Sequence, residues 1–184
     1  MAEPVDPFAD GGLMVLVDLE WRATADAPDP PLDALLGAWV VTPDGERGVF
    51  QPNPLYRPMR PDSPLDPIDA ILRMLARGED VAEMLPGLLS EVLVGIAVDE
   101  EGIALVRAAP DGVPSVLVTT SPGHRARVED VPAWANVTVQ RLAEALPQSG
   151  VDVMLNPGGP AAIRLFADAV REAASLAPAA RPGA

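Results

Sequence analysis

The sequence predicts an α+β fold: one domain with a mostly antiparallel, twisted β-sheet and helices packed on one face. Three observations predict it. The apolar runs are short and bounded by turn residues, which favours strands over long helices. Three connections, Pro43-Asp44-Gly45, Asp99-Glu100-Glu101-Gly102 and Pro110-Asp111-Gly112, supply glycine where a tight turn needs positive φ, and strands joined this way are antiparallel. The remaining apolar segments carry helix caps and helical spacing.

The elements follow in order. Residues 1–12 are acidic and broken by Pro4, Pro7 and Gly11-Gly12, so they are expected to be disordered, as is the small-residue tail 177–184. The domain then spans 13–176. Strands are expected at Leu13 to Leu19, Leu36 to Thr42, Arg47 to Gln51, Val92 to Val98, Ile103 to Ala108, Ser115 to Thr120, Val151 to Leu155 and Ala161 to Leu165. The runs Leu93-Val94-Gly95-Ile96 and Val116-Leu117-Val118 are apolar at successive positions, as in strands covered on both faces.

Asp66 has the character of an N-cap, with Pro67 at the first helical position and Ile68, Ile71, Leu72 and Leu75 at helical spacing; Gly78 stops the helix. Asp80 and Glu83 have capping-box spacing for a helix over Val81 to Leu89, which Pro86 kinks or shortens. Thr138 to Leu146 places Val139, Leu142 and Leu146 on one face. Phe166 to Leu176 does so with Phe166, Val170 and Leu176.

Composition excludes several chemistries. The 184 residues contain no cysteine and one histidine, His124, so disulfides, thiolate nucleophiles, sulfur-ligated zinc and multi-histidine metal sites are ruled out. All 13 basic residues are arginine, so there is no lysine for a Schiff base or a phosphate loop. A net charge of −14 makes nucleic acid and anionic lipid poor partners. No apolar run approaches a membrane span and the amino terminus lacks a cationic signal region, which suggests a cytoplasmic protein with no cofactor and no metal.

Three loops stand out. Gln51-Pro52-Asn53-Pro54-Leu55-Tyr56-Arg57-Pro58 cannot continue a sheet, because its prolines lack donors. It reads as a connector laid over the fold, or as a recognition loop carrying Tyr56, Arg57 and Arg60. Thr119-Thr120-Ser121-Pro122-Gly123-His124-Arg125 sets hydroxyls beside the sole histidine, but no G-x-S-x-G elbow surrounds any serine, and the segment reads as a strand-ending turn with His124 on the surface or hydrogen-bonded. Asn156-Pro157-Gly158-Gly159-Pro160 has neither the spacing nor the lysine of a phosphate cradle and reads as a structural turn.

In this order, the segment from Leu36 to Pro58, the loop from Thr120 to His124 and the segment from Leu155 to Leu165 resemble the actinobacterial type VII secretion system-associated proteins. The carboxy-terminal part of those proteins is similar to the SseB N-terminal domain. The resemblance covers about Leu13 to Ala173 and departs from the pattern over Arg125 to Pro132. It implies an α+β domain linked to an ESX-like secretion locus, and it carries over no catalytic residues.

The leading expectation is therefore a non-enzymatic cytoplasmic adaptor or accessory protein that works by protein–protein contact, with secretion components or substrates as partners. Tyr56, Arg57, Arg60, His124, Arg125 and Arg127 are the candidate partner-binding residues, as a local positive patch for an acidic partner. Two alternatives stand beside it. One is a small hydrolase using His124 with Ser121 or Thr120, which needs a pocket where the histidine meets a nucleophile and a carboxylate. The other is an acidic immunity protein against a basic toxin, which needs a contiguous acidic patch.

Overall fold

The computed structural model describes residues 11–176, and the expected disorder of 1–10 and 177–184 lies outside them. Gly12 already pairs with Val41 in a strand, so the ordered chain begins before residue 13. The fold is α+β, with mostly antiparallel sheets. Where one sheet was expected over 13–176 there are two, in compact units that divide between Asp66 and Pro67.

The first unit is built on a three-stranded antiparallel sheet of β1 (Gly12–Val17), β2 (Leu35–Val41) and β3 (Gln51–Pro52), in that order. The turn at Pro43-Asp44-Gly45 forms as its sequence dictates, with Gly45 at φ 79° and its N–H donating to Thr42 O. The strand expected over Arg47 to Gln51 does not form as a ladder. Arg47 bridges Val41 and Gly48 donates to Val40 O, but regular pairing resumes only at Gln51.

The Phe50 ring lies 4.6 Å from Trp39, centroid to centroid, and covers Gly37 so closely that an added Cβ there would sit 2.4 Å from the ring and 2.3 Å from Gln51 O. Gly37→Ala is thus expected to cost about 1 to 3 kcal/mol, because a backbone atom cannot swing aside. A lowered urea midpoint checks it; an unchanged midpoint would mean that β2 and β3 do not meet at Gly37.

Alternation along β1 and β2 sends Trp39 and Val41 inward. The pairs Leu13–Val40 and Val15–Ala38 lie on the opposite face. Leu13, Val15 and Val40 are exposed there, at 64%, 47% and 53%, and β1 is an edge of the sheet among the described residues.

The second unit contains a sheet in the order β7 (Ala133–Thr138), β4 (Leu93–Val98), β6 (Pro114–Thr119), β8 (Asp152–Leu155), β9 (Ile163–Leu165). β5 (Val106–Ala108) pairs with the start of β6, whose far half pairs with β4. Every pairing is antiparallel except β6 with β8. Register puts Ile96, Val118 and Leu155 in one cross-strand row, all buried. The helices cover that face. Ala97, Leu117 and Met154 point the other way into a smaller cluster, closed by Leu105, Val128, Val131 and Trp134.

Helix α1 (Pro67–Ala76) begins at its proline and ends in a Schellman motif, with Gly78 at φ 82° donating to Leu75 O and Glu79 donating to Met74 O. Its buried face is Ile68, Ile71 and Leu72, while Leu75 is only half-buried. Helix α2 (Met84–Ser90) starts later than expected and the Asp80–Glu83 capping box is not made. The late start places Pro86 in the first turn, where its missing N–H breaks no helical bond.

The short α3 (Pro122–Arg125) and strand β7 were not expected. Helix α4 (Val139–Ala145) is capped by Thr138, whose hydroxyl accepts from Arg141 N, and buries Val139 and Leu142. Helix α5 (Ala167–Leu176) buries Ala167, Val170 and Ala173. Phe166 and Leu176, expected on that face, are exposed. The small alanines instead allow close approach, and α5 packs against α2 and α4. No described helix is long and apolar enough to cross a membrane.

Candidate functional site

The proline-rich loop of the first unit is organised by a carboxylate. Asp18 follows directly after β1, is 2% exposed, and accepts four hydrogen bonds. Its Oδ1 takes Glu20 N at 2.9 Å and Ser63 Oγ at 3.2 Å; its Oδ2 takes the Tyr56 hydroxyl at 2.8 Å and Met59 N at 3.1 Å. Burial alone would raise the Asp18 pKa, but these four donors outweigh it and hold the carboxyl below its ordinary value. The Tyr56 hydroxyl also bonds Pro64 O, and Asn53 Nδ2 bonds Leu32 O and Leu35 O.

Tyr56, expected as an interface anchor, is thus spent on pinning the loop to β1. Arg60 is paired with Glu20 at 3.1 Å and Asp62 at 3.6 Å on the surface, an arrangement worth little to stability. Arg57 is exposed and its guanidinium has no partner among the described residues.

In the second unit the other two singled-out loops converge. Asn156 stands at φ 50°, 1% exposed; its Oδ1 accepts from Thr120 N at 2.9 Å and its side chain exchanges hydrogen bonds with Thr120 Oγ1. Pro157 and Gly158, the latter at φ 72°, complete a turn closed by Gly159 N on Asn156 O. Gly158 is required there twice over, since an added Cβ would also meet Arg127 O at 2.7 Å. The sequence reading of this segment as a structural turn matches that geometry.

His124 is fully enclosed. The Arg127 guanidinium lies 3.1 Å from its Nδ1, and because a guanidinium only donates, Nδ1 accepts and a neutral ring carries its proton on Nε2. Nε2 lies 3.8 Å from the buried carboxylate of Asp69, which Arg73 holds at 3.1 Å from the same α1 helix. A histidine acting as base needs a free lone pair toward its nucleophile. Here the lone pair is occupied by a cation and the protonated edge faces a carboxylate, which fits a post joining α1 to α3. The expectation of His124 on a partner-binding surface is corrected by its burial.

Arg125 differs from every other expected site residue. It lies across Gly95 on the sheet face opposite the helices, 5.5 Å over the Trp134 ring, with Nη2 donating to Asn136 Oδ1. Partial burial lowers its pKa, and no described carboxylate is within ion-pair distance. The adjoining stretch 126–132 is held by Arg107, which donates to Glu129 O at 2.9 Å and Asp130 O at 2.6 Å.

Of the six expected binding residues, His124, Arg125 and Arg127 are brought together and Tyr56, Arg57 and Arg60 belong to the first unit. Sequence reasoning missed Asp18, Asp69, Gly95, Trp134 and Asn136. Two signals were available: an acid closing an apolar strand run, which must be paired, and a glycine inside a strand, which marks close approach by another group. Among the described residues no group of three or more His, Asp or Glu is arranged to hold a metal. Comparison with family models, curated proteins and solved structures finds no match for this chain.

Proposed function

We propose that this chain is a non-enzymatic cytoplasmic adaptor or accessory protein that works by protein–protein contact, in the setting of a type VII-like secretion system. The resemblance of its three loop segments supports the secretion setting. The observation that carries the binding role is the edge strand β1 with the exposed apolar strip of Leu13, Val15 and Val40. Natural edge strands are ordinarily guarded by charge, proline or a covering segment. β1 from Leu13 to Val17 holds no charge and no proline. An extended apolar segment of a partner pairs with such an edge through backbone hydrogen bonds and buries the strip.

The test replaces Leu13 and Val15 together by lysine and follows co-purification from the native organism alongside the melting temperature. Recovery of an identified secretion component or substrate with the native chain, lost in the variant at unchanged melting temperature, supports the role. Equal recovery by both chains, or recovery of no secretion component, overturns it. The engaged ring of His124 favours this reading over hydrolysis.

A further inference from the structure

We infer that the surface around Arg125 on the second unit is a carboxylate-binding site, in which Arg125 Nη1 and the Asn136 amide are the donors and the Trp134 ring is the wall. It is separate from the β1 edge and stands without the proposed function. The argument begins in the register of the sheet. β7, β4 and β6 pair so that Asn136, Gly95 and Thr119 form one row across three strands. The middle position has no side chain, and the Arg125 guanidinium fills that gap: an added Cβ at Gly95 would lie 2.7 Å from Nη2.

No carboxylate among the described residues answers the positive charge, which the Trp134 ring meets only through its π face at 5.5 Å. Thr119 and Asn136 are neutral; the Thr119 hydroxyl is fully enclosed without a hydrogen-bond partner, and so is Arg125 Nε. A buried or half-buried cation without a counter-charge is costly, and in a chain with 27 acidic residues a counter-charge is easily supplied. Arg164 shows the ordinary solution in the same unit, paired with both Asp111 and Asp152. Arg125 instead has an Nη1 that is open to solvent and without a partner among the described residues.

Asn136 is exposed, and because its Oδ1 accepts from Arg125, its Nδ2 donors are turned the other way. A carboxylate is the group that planar guanidinium and amide donors side by side recognise, and the indole ring rewards an apolar stem behind it. The ligand is therefore a carboxylate on a short carbon chain, supplied by an Asp or Glu side chain of an acidic peptide or by a small free acid.

The experiment follows the side-chain N–H signals of Arg125, Trp134 and Asn136 by NMR at constant ionic strength. The probes are acetate and a capped Gly-Glu-Gly peptide, with the Gly-Gln-Gly peptide and phosphate as controls. Saturable shifts with a dissociation constant on the order of 10 mM are expected for a single charge-assisted site. Tighter binding of the peptide than of acetate assigns a protein ligand, and equal binding assigns a small acid. Arg125→Gln should weaken binding at least about tenfold.

Because that variant also removes packing, Asn136→Asp serves as the second test: it supplies an internal carboxylate from an exposed position, and should abolish acetate binding while keeping or raising the melting temperature. The inference is overturned by no saturable shift, by equal shifts with the Gln peptide, by tighter binding of phosphate, or by native-like acetate binding in Asn136→Asp.

Discussion

Replacing Asp18 by alanine is expected to lower folding stability by about 3 kcal/mol, read as a fall in the urea midpoint. The Tyr56 hydroxyl keeps Pro64 O as a partner, but Glu20 N, Met59 N and Ser63 Oγ each lose an acceptor. A buried donor left without its acceptor costs about 1 to 3 kcal/mol, and those nearest the surface recover part of it from water. Asp18→Asn separates shape from charge: the amide nitrogen that replaces one carboxylate oxygen cannot accept, so Met59 N or Glu20 N then faces a donor.

The same carboxylate sets an acid sensitivity. Its pKa is lower in the folded chain than the roughly 3.9 of an unfolded aspartate, so the unfolded state binds the proton first. The contribution of Asp18 is complete above that unfolded value and declines as pH falls through the folded one. Urea midpoints measured from pH 6 downward should therefore drop less steeply below about pH 4 in Asp18→Asn than in the native chain. Parallel curves would remove Asp18 as the source.

The second large effect lies in α1. Ile71 is 5% exposed and its truncation to alanine should cost about 2 to 5 kcal/mol, the loss of transfer energy plus the cavity left behind. Leu75, one turn on, is only half-buried, and Leu75→Ala should cost less than half as much because water refills the space. Equal losses would mean that the helix is rotated from the face described.

Helical spacing alone places both residues on one stripe, and the difference between them shows where sequence reasoning ends. Local chemistry was legible: the glycine turns at Gly45, Gly102 and Gly112 all take positive φ, and the apolar runs of β4, β6 and β8 are the buried strands. β7 was not, because Ala133, Ala135 and Asn136 give no alternation and its strand character comes from pairing with β4.

The site was less legible still. That Thr120 meets Asn156, or that Tyr56 is held by Asp18, depends on closures between distant residues that spacing does not encode. The arginines stand out in an acidic sequence, yet each has a different role. Arg60 is ion-paired, Arg127 is bonded to a histidine, Arg125 meets an amide oxygen and an indole ring, and the Arg57 guanidinium has no partner among the described residues.

The one parallel pairing has a consequence for the order in which the chain is made. β6 is flanked by β4 and β5 on one side as soon as residues 93–119 exist, but its other neighbour, β8, begins only at Asp152. During synthesis β6, apolar on both faces, is a temporary edge for as long as residues 120–151 take to emerge, open to the wrong strand throughout. The intervening sequence opens with Pro122, the short α3 and the loop held by Arg107. That segment packs Val128 and Val131 against the cluster of Leu117, so the residues that cover one face of β6 are made before β8 is.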